Sequence, residues 1–214
     1  MIELCIFDLD GTLIDSAPDL EVSANTALEH FGLPKRSLSQ IKEGMGKGIN
    51  HLLKTSIPKE KYTQQLFDDI KKMYVGHYVE HCTDNTIVYD GVLDMLHELQ
   101  RKGIKMAILT NKPHSFLDKI ITELFCGIKF DVVIGQGEYP SKPNPAAVFF
   151  ILNELGVSSD KSIFIGDSSV DIRTGINSKM RTVGVSWGYR DVDVLKKAGA
   201  DYIINTAGEL LDLF

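Results

Sequence analysis

A doubly wound α/β core built on a parallel sheet, with an all-helical domain inserted after its first strand, is the fold class predicted by three features of this 214-residue chain. Short runs apolar at nearly every position, at 4–7, 104–109 and 162–165, read as strands buried on both faces, and helical patterns separate them. The stretch from about 16 to 85 holds helical periodicity and no strand-like run. All three apolar runs end in polar residues, Asp8-Leu9-Asp10, Thr110-Asn111 and Gly166-Asp167. In such sheets ligands bind beyond the carboxyl ends of the strands.

Taken in order, Leu4 to Phe7 is the first strand and opens into Asp8-Leu9-Asp10-Gly11-Thr12. Alternation along an extended backbone turns Asp8 and Asp10 to one side and Leu9 to the other. Gly11 permits a tight bend with close approach of a ligand, and Thr12 offers a hydroxyl and an amide to an oxyanion. Ser16-Ala17-Pro18-Asp19 has the form of a capping box with Pro in the first turn, so a helix is expected until Gly32-Leu33-Pro34. Helices follow at about 38–43, 49–57 and 59–82, and between the first two lies the loop Gly44-Met45-Gly46-Lys47-Gly48, whose glycines free backbone amides. From Tyr89 onward helices and strands alternate. Helices are expected at 92–102, 113–125, 144–156, 169–179 and 192–198 and at the C-terminus, and strands at 104–109, 131–134, 162–165, 182–185 and 202–204. The expected division is a core of 1–15 and 86–214 with a helical cap of 16–85.

The net charge of −6 lacks the clustered Lys and Arg that phosphate-backbone binding needs, which argues against nucleic acid as partner. No apolar run approaches the roughly 20 residues that span a bilayer. A strand begins within the first residues and leaves no room for a leader peptide, so a cytoplasmic protein without a membrane partner is expected, as a monomer or weak homodimer. Cys5, Cys82 and Cys126 are odd in number and widely spaced, and Cys5 and Cys126 read as small buried hydrophobes, not as a disulfide or zinc framework.

Individually the polar residues have plain explanations. Thr110-Asn111 serves as a helix cap ahead of Pro113, Asp171 as the far half of a capping box with Ser168, and Lys142 as a solvated loop lysine. Their joint order carries more. Asp-Leu-Asp-Gly-Thr at 8–12, the strand ending in Thr110-Asn111, Lys142-Pro143, and Gly166-Asp167 with Asp171 resemble, in sequence order, the four motifs of the haloacid dehalogenase superfamily of aspartate-nucleophile phosphohydrolases, whose core is Rossmann-like. The segment after the first motif looks like the superfamily's C1 cap. Residues 13–20, the loop 44–48 and Ser186-Trp187-Gly188-Tyr189-Arg190 look like its phosphoglycolate phosphatase branch.

The resemblance implies a Mg²⁺-dependent phosphatase acting on a small phosphorylated metabolite, most simply 2-phosphoglycolate. Asp8 would be the nucleophile, Asp10 the general acid and base, and Thr110 and Lys142 the groups that bind phosphate. Asp8, Asp167 and Asp171, with the Asp10 carbonyl, would hold the Mg²⁺, which suits carboxylates beside a phosphate. Gly11, Thr12, Asn111 and Lys47 are the expected substrate-binding residues, Asn111 shaping the site and Lys47 meeting a small anionic tail. Two other readings use the same core: an inorganic pyrophosphatase or a phosphomutase like β-phosphoglucomutase. A non-catalytic phospho-ligand-binding module is a further alternative, and the intact Asp8 speaks against it. Asp10 speaks against phosphonoacetaldehyde hydrolase, which lacks an acid at that position.

Overall fold

The computed structural model describes residues 1–214. β1 (Leu4–Phe7) and the short β2 (Ile14–Asp15) lead into four helices, α1 (Ala17–His30), α2 (Leu38–Gly44), α3 (Ile49–Ser56) and α4 (Gln64–His81). β3 (Ile87–Val88) closes that segment. Thereafter α5 (Val92–Arg101), β4 (Lys105–Pro113), α6 (Leu117–Leu124), β5 (Val132–Gln136), α7 (Ala146–Leu155), β6 (Ser162–Gly166), α8 (Ser169–Asn177), β7 (Arg181–Val185), α9 (Val192–Ala198) and β8 (Tyr202–Ile204) alternate.

Six strands form one parallel sheet in the order β5-β4-β1-β6-β7-β8, so the chain grows outward from β1 first to one side and then to the other. Phe7 pairs with Ile108 of β4 and Ile165 of β6, which brings three strand ends level around Asp8. Helices cover both faces. Leu4 and Ile6 belong to the cluster with Val148 and Ile151 of α7, while Cys5 and Phe7 join the larger cluster with Val92, Leu96 and Leu99 of α5. β1 is therefore apolar at every position, and each buried Leu, Ile or Phe contributes roughly 1.5–3 kcal/mol.

The helical segment enters and leaves through the antiparallel pair β2–β3, Ile14 opposite Val88 and Asp15 opposite Ile87. Two residues per strand are too few to carry any periodicity, and the sequence gives no sign of this pair. The expected capping box at Ser16 and Asp19 does not form. Ser16 has φ −97° and ψ −1°, a helical geometry that keeps its hydroxyl from the helix amides, and that hydroxyl donates to Asp10 Oδ1 instead. Asp19 fastens the neck: its carboxylate accepts from the backbone and side-chain amides of Asn85 and from the amide and hydroxyl of Thr86, at 2.7–3.0 Å.

Four further expectations are corrected. β4 does not stop at 109 but runs to Pro113, with a register shift against β5 between Leu109 and Pro113, because Pro113 is itself extended at φ −52° and ψ 134°. The helix expected at 113–125 is a 3-10 turn, His114–Phe116, followed by α6, and the terminal helix is also 3-10, Ala207–Leu213. Cys126 is exposed, because its neighbour Phe125 takes the inward place; Cys5 and Cys82 are buried and all three thiols are free.

Candidate active site

Asp8 follows β1, Asp167 follows β6 and Asp171 lies in the first turn of α8; all three are buried, and their carboxylate oxygens lie within 4.8 Å of one another. Lys142, from the loop after β5, reaches into the same space. Its ammonium is 2.9 Å from Asp8 Oδ1 and 2.6 Å from Asp171 Oδ1. Two of the three carboxylates thus pair with one buried cation. Burial, and then the charge of Asp171, pushes the Asp8 carboxyl up to about 7 against the pull of Lys142. Burial, then Asp171 and Asp8, raises Asp167 well above the carboxylate range, although the Tyr189 N–H donates to its Oδ2 at 2.7 Å. Burial alone would lower Lys142, but Asp171 and Asp8 outweigh it and hold the ammonium charged. A compact, all-oxygen acidic cluster of this kind suits a hard divalent cation.

Asp171 has both oxygens committed within the protein. Oδ1 takes Lys142, while Oδ2 takes the Ser168 N–H at 3.0 Å and hydroxyl at 2.5 Å, so the capping box with Ser168 and a charge-orienting role coexist in one residue. Asp8 is different. Its Oδ1 accepts the Leu9 N–H at 2.7 Å and Lys142, and no protein group bonds its Oδ2. Asp10 likewise receives both partners on one oxygen: Ser16 Oγ at 2.5 Å and Lys112 Nζ at 2.7 Å meet at Oδ1, leaving Oδ2 free. Thr110 accepts the Lys112 N–H on its hydroxyl at 3.1 Å, which leaves the hydroxyl proton to give.

The catalytic and acidic residues expected from the sequence, Asp8, Asp10, Thr110, Lys142, Asp167 and Asp171, therefore meet at the ends of three adjacent strands. Of the expected substrate-binding residues, Gly11, Thr12 and Lys47 turn their polar groups elsewhere. The Gly11 amide donates to the Ile14 carbonyl at 2.8 Å, and the group that approaches Gly11 is the Asp167 carboxylate; at φ +87° a Cβ there would collide with it. Thr12 faces an apolar cavity with Phe7, Val92 and Met95, where its buried hydroxyl has no partner. Asn111 spends its amide within the protein, donating to the Gly46 and Lys142 carbonyls and accepting the Lys142 N–H at 2.8 Å, so it fixes Lys142 and the loop above it. Lys47 is exposed and lies outside the cleft, because Gly48, at φ 85°, starts α3 immediately after it.

Lys112, Ser16 and Tyr189 are what the sequence reading missed. A signal for Lys112 existed: two residues beyond Thr110 on an extended strand, it shares that residue's face. The segment 186–190 turns out to join the site to the helical segment. Trp187 Nε1 donates to the Thr12 carbonyl at 3.1 Å, and the Tyr189 hydroxyl donates to Asp15 Oδ1 at 3.0 Å. The Arg190 guanidinium donates to the carbonyls of Lys42, Glu43 and Met45 at 2.9–3.2 Å. Those carbonyls close α2, where a cation is favoured. Arg190→Ala is therefore expected to loosen this lid, raising amide exchange at 42–48 by about tenfold, the equivalent of ~1.4 kcal/mol, with no change in core amides. Unchanged exchange at 42–48 would show that the three bonds hold nothing closed.

A family model described as haloacid dehalogenase-like hydrolase matches residues 5–185. A phosphoglycolate phosphatase of Chromobacterium violaceum is 32% identical over 216 residues, spanning 99% of this chain and 96% of that protein. One from Pseudomonas syringae pv. tomato is 34% identical over 192 residues, 87% of this chain and 70% of its own. The crystal structure of a predicted phosphoglycolate phosphatase from Haemophilus somnus 129pt matches with a TM-score of 0.93 at 28% identity, covering 99% of this chain and 97% of that one. No helix here is long and apolar enough to cross a membrane. With a family model aligned across nearly all of the sheet, and with four motifs converging on one acidic cluster, the chain belongs to the haloacid dehalogenase-like hydrolases.

Proposed function

We propose that this chain is a Mg²⁺-dependent phosphomonoester hydrolase, that its substrate is 2-phosphoglycolate, and that it works through an aspartyl-phosphate on Asp8. The observation that carries the reading is the free Oδ2 of Asp8 in a cluster whose other polar groups are all held in place. The substrate follows the relatives, which are named phosphoglycolate phosphatase across nearly the whole length of the chain. Asp8 and Asp167 would hold Mg²⁺, with the Asp10 carbonyl; Asp171, its oxygens taken, would act by orienting Lys142. When bound, the ion supplies the positive charge that lets a phosphate dianion enter beside carboxylates.

Asp8 Oδ2 attacks phosphorus as the bond to the ester oxygen breaks, and Asp10, through Oδ2, gives its proton to the leaving alkoxide. Asp10 then takes a proton from the water that attacks the aspartyl-phosphate, which releases phosphate and restores both carboxyls. Lys142 and the Thr110 hydroxyl stabilise charge on the equatorial oxygens. Every group named comes from one chain, so a monomer would suffice. In this reading residues 16–85 are a cap over a core of 1–15 and 86–214, in a cytoplasmic enzyme of small metabolites.

The test is phosphate release from 2-phosphoglycolate, pyrophosphate, glucose 1-phosphate and nucleotides, with Mg²⁺ and with excess chelator. The highest kcat/KM is expected on 2-phosphoglycolate, with activity lost to the chelator. A preference for pyrophosphate or a sugar phosphate would move the enzyme to another branch of the family. Asp10→Asn should lower kcat by about 10²-fold or more, the scale of one general acid. A smaller loss would remove Asp10 from proton transfer.

A further inference from the structure

Asp8 and Asp10 line a cleft of about 50 Å³ between the sheet and the helical segment. Leu20, Ile49, Leu52 and Phe116 make much of its wall apolar, and Lys112 is the only cation that lines it. The Lys112 ammonium lies 4.9 Å from the centre of the Tyr78 ring and 2.7 Å from Asp10 Oδ1. Tyr78 also lines the cleft, and its hydroxyl is buried without a hydrogen-bond partner. A buried orphan donor beside an ammonium in an apolar pocket is costly unless an acceptor comes to meet it.

We propose that Lys112 and the Tyr78 hydroxyl form an anion subsite that reads a carboxylate borne one carbon from the ester oxygen, which makes phosphorylated 2-hydroxy acids the substrate class. This rests on the phosphatase reading above and adds to it the residues that choose the tail. The spacing follows from the chemistry. Asp10 protonates the ester oxygen, so a group bonded to Asp10 stands just past that oxygen, where a short tail places its carboxylate. An ammonium has three protons, and Lys112 spends one on Asp10; the substrate carboxylate takes another, and the Tyr78 hydroxyl donates to its second oxygen. A neutral tail of the same size would leave both donors unmet, and sites built around buried donors discriminate strongly against analogues that cannot pair with them.

The experiment compares kcat/KM for 2-phosphoglycolate with that for 2-hydroxyethyl phosphate, a neutral tail of nearly equal size, in wild type, Lys112→Met and Tyr78→Phe. Wild type should prefer the carboxylate. The ratio should fall at least about tenfold in Lys112→Met, whatever the absolute loss, and about threefold or more in Tyr78→Phe, which keeps the ring packing if the lysine variant proves unstable. Two outcomes overturn the inference while the phosphatase reading stands: equal wild-type rates on the two esters, or ratios held within about twofold in the variants, which in Lys112→Met, as an equal loss on both esters, would assign Lys112 to Asp10 alone. If wild type hydrolyses neither ester, the 2-phosphoglycolate reading itself fails and the subsite falls with it.

Discussion

Asp8→Asn is expected to lower kcat by about 10⁴-fold or more, the scale on which loss of a covalent nucleophile acts, and to leave the fold intact. An amide cannot attack phosphorus, yet its oxygen can still accept the Leu9 N–H and the Lys142 ammonium that now meet at Oδ1. The variant should also be the more stable protein in chelator. Burial and the charge of Asp171 raise the folded-state carboxyl of Asp8 from 3.8 to about 7, so between those values the folded chain holds the proton more tightly than the unfolded chain. The stability that this group contributes is therefore present at low pH and lost as pH rises through about 7. Thermal unfolding in chelator should show Tm of the wild type declining over that interval and a shallower decline in Asp8→Asn, with a smaller gain on adding Mg²⁺ at neutral pH. Phosphate release within about tenfold of wild type would remove Asp8 as nucleophile.

What could be read from the sequence and what could not divide along a physical line. Asp8, Asp10, Thr110 and Asp167 were legible because each continues an apolar run, and a run buried on both faces fixes both the strand and its end. Lys142 and Asp171 were legible only through family order, since nothing local shows that a loop lysine is the counterion of a helix carboxylate. Gly11, Thr12 and Lys47 failed for a common reason. Their expected roles depended on where an amide, a hydroxyl or an ammonium points after a turn, and the partners that settle it, Ile14, the apolar cavity and the start of α3, follow from the fold. Lys112 was hidden by the boundary of β4. Once the strand is seen to run through Pro113, the alternation that joined Asp8 to Asp10 joins Thr110 to Lys112.

Lys142→Met is expected to cost both stability and activity, and the two losses should separate. The side chain is buried with its ammonium between Asp8 and Asp171, and Met fills a similar volume without the charge. Removing one partner of a buried ionic cluster leaves the others uncompensated, at a cost of about 3–5 kcal/mol, which urea denaturation in chelator would register as a lower midpoint. The same change removes the cation facing the equatorial phosphate oxygens, so kcat should fall by about 10³-fold and inhibition by inorganic phosphate should weaken. Adding Asp171→Asn takes away a carboxylate that would otherwise be stranded, while the amide retains an oxygen for the Ser168 N–H. The double variant should therefore recover part of the lost stability and none of the lost activity. Recovery of activity in the double variant would mean that Lys142 serves only to neutralise Asp171. A single variant as stable as wild type would mean that the buried carboxylates need no counterion, leaving Lys142 no pair to hold together.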